Sequence, residues 1–143
     1  MVGLKSKLSL KVQLSQIANN VTKIKNSLGS ATHLMAVVKA DAYGLGAVQV
    51  SQKVADSGAH YLGVATIKEG QRLRESGVKL PILILNEVGK DSYNLLIQHE
   101  LSTTLYTTQG IVDLGEFTNK ENRDIRVHLK VDTGMSRIGC PAS

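Results

Sequence analysis

In the stretch VVKADAYGLG, Val37–Gly46, an apolar run delivers one amine, Lys39, and a tyrosine and two glycines follow at once. A lysine carried to the end of an apolar strand is partly desolvated. Desolvation disfavours the ammonium and frees the neutral amine, the form that attacks a carbonyl carbon to give a Schiff base. Gly44 and Gly46 let the backbone turn tightly beside a ligand, and Tyr43 adds a rigid hydroxyl donor. Three plainer readings compete: Lys39 snorkelling at a sheet rim, a simple turn, or half of a dinucleotide-binding fingerprint. The fingerprint lacks its third glycine, because Gln49 stands there.

A second group of candidate residues lies in VHLKVDTGMSRIG, Val127–Gly139. Lys130 alternates with apolar Leu129 and Val131, as a side chain pointing out of a strand does. Arg137 stands near Asp132, and a surface ion pair between them is the plain reading. His128 is a lone histidine on a strand, the pattern of a packing residue and not of a metal site. Cys140 is the single cysteine, which excludes an internal disulfide and a cysteine-based zinc site; beside Pro141 it reads as inert.

Apolar, β-branched runs that would position these residues recur at Leu34–Ala40, Tyr61–Thr66, Ile82–Asn86, Ser102–Tyr106 and Val127–Asp132. They are apolar on consecutive positions, as strands buried on both faces are in parallel sheets. Segments of helical spacing lie between. Ile17, Val21, Ile24 and Leu28 mark a first helix, with Ser15 as its cap and Gly29 at its end. Val48, Val50 and Val54 mark a second, ended by Gly58. Thr66 and Glu69 fit a capping box that opens a third, which Gly77 terminates. Asp91 or Ser92 opens a fourth, and a fifth is weakened by Gly110 and Gly115. The order αβαβαβαβαβ suits an open doubly wound sheet or part of a (β/α)8 barrel. In both, chemistry gathers at the carboxyl ends of the strands, where Lys39 falls.

The chain has 143 residues, is 42% hydrophobic and 20% charged, and suits one ordinary soluble domain. It shows neither an 18-residue apolar run nor a secretory signal, and with one cysteine a reducing, cytoplasmic setting is expected. The net charge of +5 comes from scattered lysines and arginines. With no tryptophan and one phenylalanine, Phe117, nothing suggests a stacking platform for nucleic acid.

AVVKADAYGLG resembles the pyridoxal-phosphate lysine motif of alanine racemases, fold-type III enzymes, and VHLKVDTGMSRIG resembles that family's second signature. Smaller matches fall in the same order: VQLSQIANNV, YLGVATIKEGQRLRESG and PILIL. The resemblance spans Leu10–Gly139 and implies the amino-terminal part of a partial (β/α)8 barrel over residues 1–143. It implies pyridoxal 5'-phosphate as cofactor and L- and D-alanine as substrates, in a homodimeric cytoplasmic enzyme that serves peptidoglycan synthesis.

By the same resemblance Lys39 is the Schiff-base lysine and the base for one enantiomer. Tyr43 hydrogen-bonds the cofactor phosphate. Arg137 lies beside the phenolic oxygen and the substrate carboxylate. Lys130 is a candidate for carbamylation, which would make it an anion able to hold Arg137. Leu85 packs near the pyridine ring. The chain departs from the common pattern at Asp41, where asparagine is usual, at Leu45, where histidine is usual, and at Gln13, where an acidic residue is usual.

The family's second catalytic tyrosine, the arginine facing the pyridine nitrogen and much of the phosphate cup belong to parts beyond the fifth strand. The isolated chain is therefore expected to lack turnover and to expose open sheet edges. It would self-associate or lose order at its ends, or be a piece of a longer protein. Two alternatives stand beside the racemase: a non-catalytic fragment that folds or binds cofactor, and a related enzyme such as a serine racemase. A basic amino-acid decarboxylase fits less well, given Tyr43 and the Met135–Ser136–Arg137 segment.

Overall fold

The computed structural model describes residues 9–141. Helix α1 (Leu14–Ser27) opens it and packs on α3 (Ala47–Asp56). Val21 is buried in that contact and Ile17 packs on the core, but Ile24 faces solvent. Gln13, not Ser15, flanks the start of α1: the first bonds of the helix run from Gln16 and Ile17 back to the Gln13 carbonyl, so Ser15 already lies inside. The helix closes at Leu28, one residue before Gly29.

Five parallel strands follow: β1 (Met35–Val37), β2 (Tyr61–Val64), β3 (Ile82–Ile84), β4 (Leu101–Leu105) and β5 (Val127–Leu129). They pair in chain order, β1-β2-β3-β4-β5. A doubly wound sheet reverses its order at a switch point and carries helices on both faces. Here α3 touches α4 (Ile67–Glu75), and α4 touches α5 (Tyr93–Gln98), as successive right-handed crossovers laid on one face require. The sheet is an arc of an α/β barrel.

Register and packing separate its two faces. Leu62, Ile82 and Leu101 share one row, and Val64, Ile84 and Thr103 the next; all are buried under the helices. A methyl built on Gly70 of α4 would lie 3.0 Å from the Leu101 side chain, so helix and sheet meet there without spare room. The opposite row runs Val37, Gly63, Leu83, Ser102. The central strands are buried on both faces, whereas the edges are not: Val37 is 41% exposed and Leu129 60%.

The capping box at Thr66 and Glu69 forms as the spacing predicts. Gly58 and Gly77 follow their helices with φ of 99° and 90°, a conformation that glycine adopts without strain. The fourth helix is entered through a 3-10 turn, Lys90–Ser92, and Ser92 makes no side-chain cap. Gly110 and Gly115 do not weaken the next helix: α6 runs from Thr108 to Glu121, capped by Thr107. The predicted strand Val127–Asp132 divides at Lys130. Its second part, β6 (Val131–Asp132), leaves the sheet to pair with β7 (Cys140–Pro141). No helix among the described residues is long and apolar enough to cross a membrane.

Candidate active site

The largest departure from the sequence reading is at Lys39. The predicted strand Leu34–Ala40 ends at Val37, and Lys39–Tyr43 forms α2, a short helical turn wound left-handed. Ala40, Asp41, Ala42 and Tyr43 have φ between 51° and 56°, and Gly44 and Gly46 continue at 85° and 91°. For residues with a Cβ this conformation costs roughly 1–2 kcal/mol each, and four in succession persist only where the surroundings fix them.

Several contacts do so. Within the turn, Ala42 N–H donates to the Val38 carbonyl at 2.9 Å, Gly44 N–H to Ala40 at 3.1 Å and Gly46 N–H to Asp41 at 2.9 Å. Ala42 is buried in the core. The Asp41 carboxylate accepts Ala47 N–H at 2.9 Å, which ties the turn to the start of α3, and lies 3.3 Å from the Arg72 guanidinium. Lys39, half-buried, is bordered by two anchored peptides: Val38 N–H donates to the Gly63 carbonyl at 2.8 Å, and Ala40 N–H to Glu69 Oε1 at 2.7 Å.

The carboxyl-end loops are laced to one another around the arc. Glu69 joins the loops after β1 and β2, its second oxygen accepting Ala65 N–H at 2.7 Å and Thr66 N–H at 3.1 Å. Asn86, after β3, donates to the Ala65 carbonyl at 3.0 Å. Glu87 accepts Tyr106 N–H at 2.9 Å, Thr107 N–H at 3.1 Å and the Thr107 hydroxyl at 2.5 Å, which joins β3 to β4. Lys130 N–H donates to the Leu105 carbonyl at 2.9 Å and joins β4 to β5. Sequence reasoning did not single out Glu87 or Asn86, and gave Glu69 only a capping role. The available signal was a polar residue just past a strand, which is common in any loop.

Leu85 follows β3 on the helix-free face: a methyl built on Gly63 would lie 3.5 Å from Leu85, 3.4 Å from Val37 and 3.3 Å from Met35. Together these line an apolar patch on that face. Lys130, half-buried, continues the parity of His128 and Thr104, which register on that same face. Tyr43 stands at the solvent side of the left-handed turn, 64% exposed.

Arg137 lies on the exposed loop between β6 and β7. It does not pair with Asp132. The Asp132 carboxylate instead accepts the amides of Gly134 at 2.9 Å and Ser136 at 3.0 Å, and these bonds hold its pKa below the ordinary aspartate value. Cys140 closes the loop: its N–H and thiol both reach the Lys130 carbonyl, at 2.8 and 3.1 Å. Thus Lys39, Leu85 and Lys130 all follow the carboxyl ends of strands, at one end of the sheet. Among the described residues no hydrogen bond joins the Arg137 side chain to either lysine. A separate cavity of about 320 Å³ opens between Arg74, Leu101 and Ile125, at the other end of the strands. There the Arg74 guanidinium is spent on the carbonyls of Val78, Leu80, His99 and Glu100.

Comparison with known proteins joins this geometry to a family. Residues 12–143 match the family model described as alanine racemase, N-terminal domain. Alanine racemase 1 of Oceanobacillus iheyensis is 39% identical over 134 residues, 94% of this chain and 36% of that protein. The crystal structure of alanine racemase from E. faecalis superposes with a TM-score of 0.86 at 43% identity, covering 90% of this chain and 35% of that one. Alanine racemase from Bartonella henselae, solved with covalently bound pyridoxal phosphate, superposes at 0.84 with 27% identity, covering 92% of this chain and 38% of that one. The chain thus spans about a third of the length of the relatives it matches. A parallel arc of this strand order, with its lysine-bearing turn at the end of β1 and a match running to its last residue, places the chain in the alanine racemase N-terminal domain family.

Proposed function

We propose that residues 1–143 form the amino-terminal part of a pyridoxal-phosphate-dependent barrel enzyme that interconverts L- and D-alanine. The observation that carries this reading is Lys39, set between two anchored peptides at the carboxyl end of a parallel strand. The donor set fits the cofactor: an amine for its aldehyde, the exposed Tyr43 hydroxyl for its phosphate, and an apolar patch of Val37, Gly63 and Leu85 for a planar ring. When bound, that cofactor supplies the electron sink that makes the Cα proton of an amino acid removable.

Within that chemistry each residue has its own task. The Lys39 amine would hold the cofactor through its aldehyde, and the same amine would serve as the proton carrier for one face of Cα. Arg137, an exposed cation on the β6–β7 loop, is the partner for the substrate carboxylate. Lys130, if carbamylated, presents an anion to orient Arg137. Leu85 keeps water from the ring face. The base for the opposite face comes from the part of the relatives that this chain does not span, as does the homodimer contact. The reading implies a cytoplasmic enzyme supplying D-alanine for peptidoglycan.

A second reading is favoured by the edges of β1 and β5 that stay open among the described residues: these 143 residues alone hold cofactor without turnover, and alanine against serine is decided elsewhere. One experiment tests both. The purified chain is incubated with pyridoxal phosphate, reduced with borohydride, digested, and mapped by mass spectrometry, with Lys39→Ala as control. Labelling of Lys39 far above the other lysines supports cofactor binding at Lys39. Scattered labelling that persists in Lys39→Ala rejects it. D-alanine formation by the chain alone at saturating cofactor rejects the second reading.

A further inference from the structure

The left-handed turn after Lys39 is gripped from one side by α4. Glu69 Oε1 accepts Ala40 N–H at 2.7 Å, and one helical turn further on Arg72 meets the Asp41 carboxylate at 3.3 Å. Residues three apart share a helix face, so the two grips stand side by side. Glu69 is itself fixed, because its other oxygen receives the amides of Ala65 and Thr66 while its own N–H donates to the Thr66 hydroxyl at 3.3 Å. The capping box is complete without Ala40, so the helix start does not demand the contact with the turn. Nor does α4 need the Arg72 contact, since that side chain is 64% exposed. Both grips land on the two residues directly after Lys39, the first two of the strained run.

We infer that α4 is a two-point clamp for Lys39. Glu69, through the Ala40 amide, and Arg72, through the Asp41 carboxylate, are positioning residues that hold the left-handed turn and so the direction in which the Lys39 amine leaves the sheet. The mechanical half stands on the contacts themselves. The chemical half rests on the cofactor role proposed for Lys39. With either grip removed, the backbone beyond Lys39 relaxes toward the right-handed or extended region, and the amine swings with it.

The test uses the 143-residue chain with Glu69→Ala, Arg72→Ala, Arg72→Lys and Asp41→Asn, and two readouts. Amide hydrogen exchange by NMR follows Ala42 and Gly44 in the turn, with Ile84 and Leu105 as sheet controls. Borohydride trapping of pyridoxal phosphate follows the yield at Lys39 across pH. Glu69→Ala is expected to speed exchange in the turn at least tenfold and leave the controls within twofold. Arg72→Ala gives about threefold, Arg72→Lys restores most of it, and Arg72→Ala adds nothing when Asp41 is already asparagine. Lys39 trapping falls several-fold in the loosened variants, and its pH midpoint moves.

Unchanged exchange in the turn overturns the clamp, as does equal acceleration in the sheet, which would leave Glu69 as a helix cap only. A loosened turn with Lys39 trapping and pH profile unaltered overturns the positioning role. Should Glu69→Ala fail to fold, the exposed Arg72→Ala variant decides alone. If the unmodified chain is not trapped at Lys39, the cofactor reading fails while exchange still judges the clamp.

Discussion

Single residues in the β6–β7 loop carry much of the local order around Arg137. Gly139 has φ of 132°, and a methyl built on it would stand 2.6 Å from Asp132 N and 2.9 Å from the Val131 carbonyl carbon, both backbone atoms. Gly139→Ala is therefore expected to part β6 from β7, at a cost of about 1–3 kcal/mol to the loop's closed state. Faster amide exchange at Cys140, with Ile84 unaffected, would show it. Asp132 adds a pH dependence. Its folded pKa is lowered by the Gly134 and Ser136 amides, so its contribution to loop order is present above the ordinary aspartate pKa. That contribution is lost as pH falls through the lowered value. The Gly134 and Ser136 amide shifts should titrate together at that point, and Asp132→Asn should abolish the transition.

Among the elements, α4 is the best determined by sequence. Thr66 and Glu69 announce its first turn, and both halves of the capping box form. Thr66→Ala should cost about 1 kcal/mol in denaturant unfolding, as lost caps do. Leu62→Ala, fully buried where β2 meets the helices, should cost about 2–5 kcal/mol in the same measurement. What made α4 and the central strands legible was local: apolar runs of strand length, a cap, and glycines such as Gly58 and Gly77 just past a helix. The turn at Lys39 was not legible, because its conformation is decided by Glu69, which is 29 positions away from Ala40. A run Lys-Ala-Asp-Ala-Tyr carries no left-handed signal of its own, and only Gly44 and Gly46 hint at positive φ. The plain alternative that paired Asp132 with Arg137 rested on opposite charge alone, whereas nearby backbone amides reach the carboxylate. The position of Lys39 at the carboxyl end of a strand did follow from sequence, since βα alternation fixes which end of the strand it occupies, whereas Leu85 and Lys130 fall inside predicted strands that the structure ends one residue before them.

At the scale of the whole sheet, among the described residues β1 and β5 each keep one unpaired edge, and Val127, Leu129 and Val131 expose apolar surface beside the second. Unpaired parallel edges of this kind recruit further strands. The 143-residue chain on its own is expected to self-associate in light scattering after gel filtration. A monodisperse monomer with a cooperative unfolding transition would refute that. The consecutive strand order has a different bearing, on how the arc comes into being. Every ladder joins a strand to the next one along the chain, and the rim contacts at Glu69, Asn86, Glu87 and Lys130 each reach only the neighbouring unit. No strand waits for a distant one. Each βα unit can dock as soon as its predecessor is in place, so the arc is suited to assembly in the order in which a ribosome delivers it, Lys39 first.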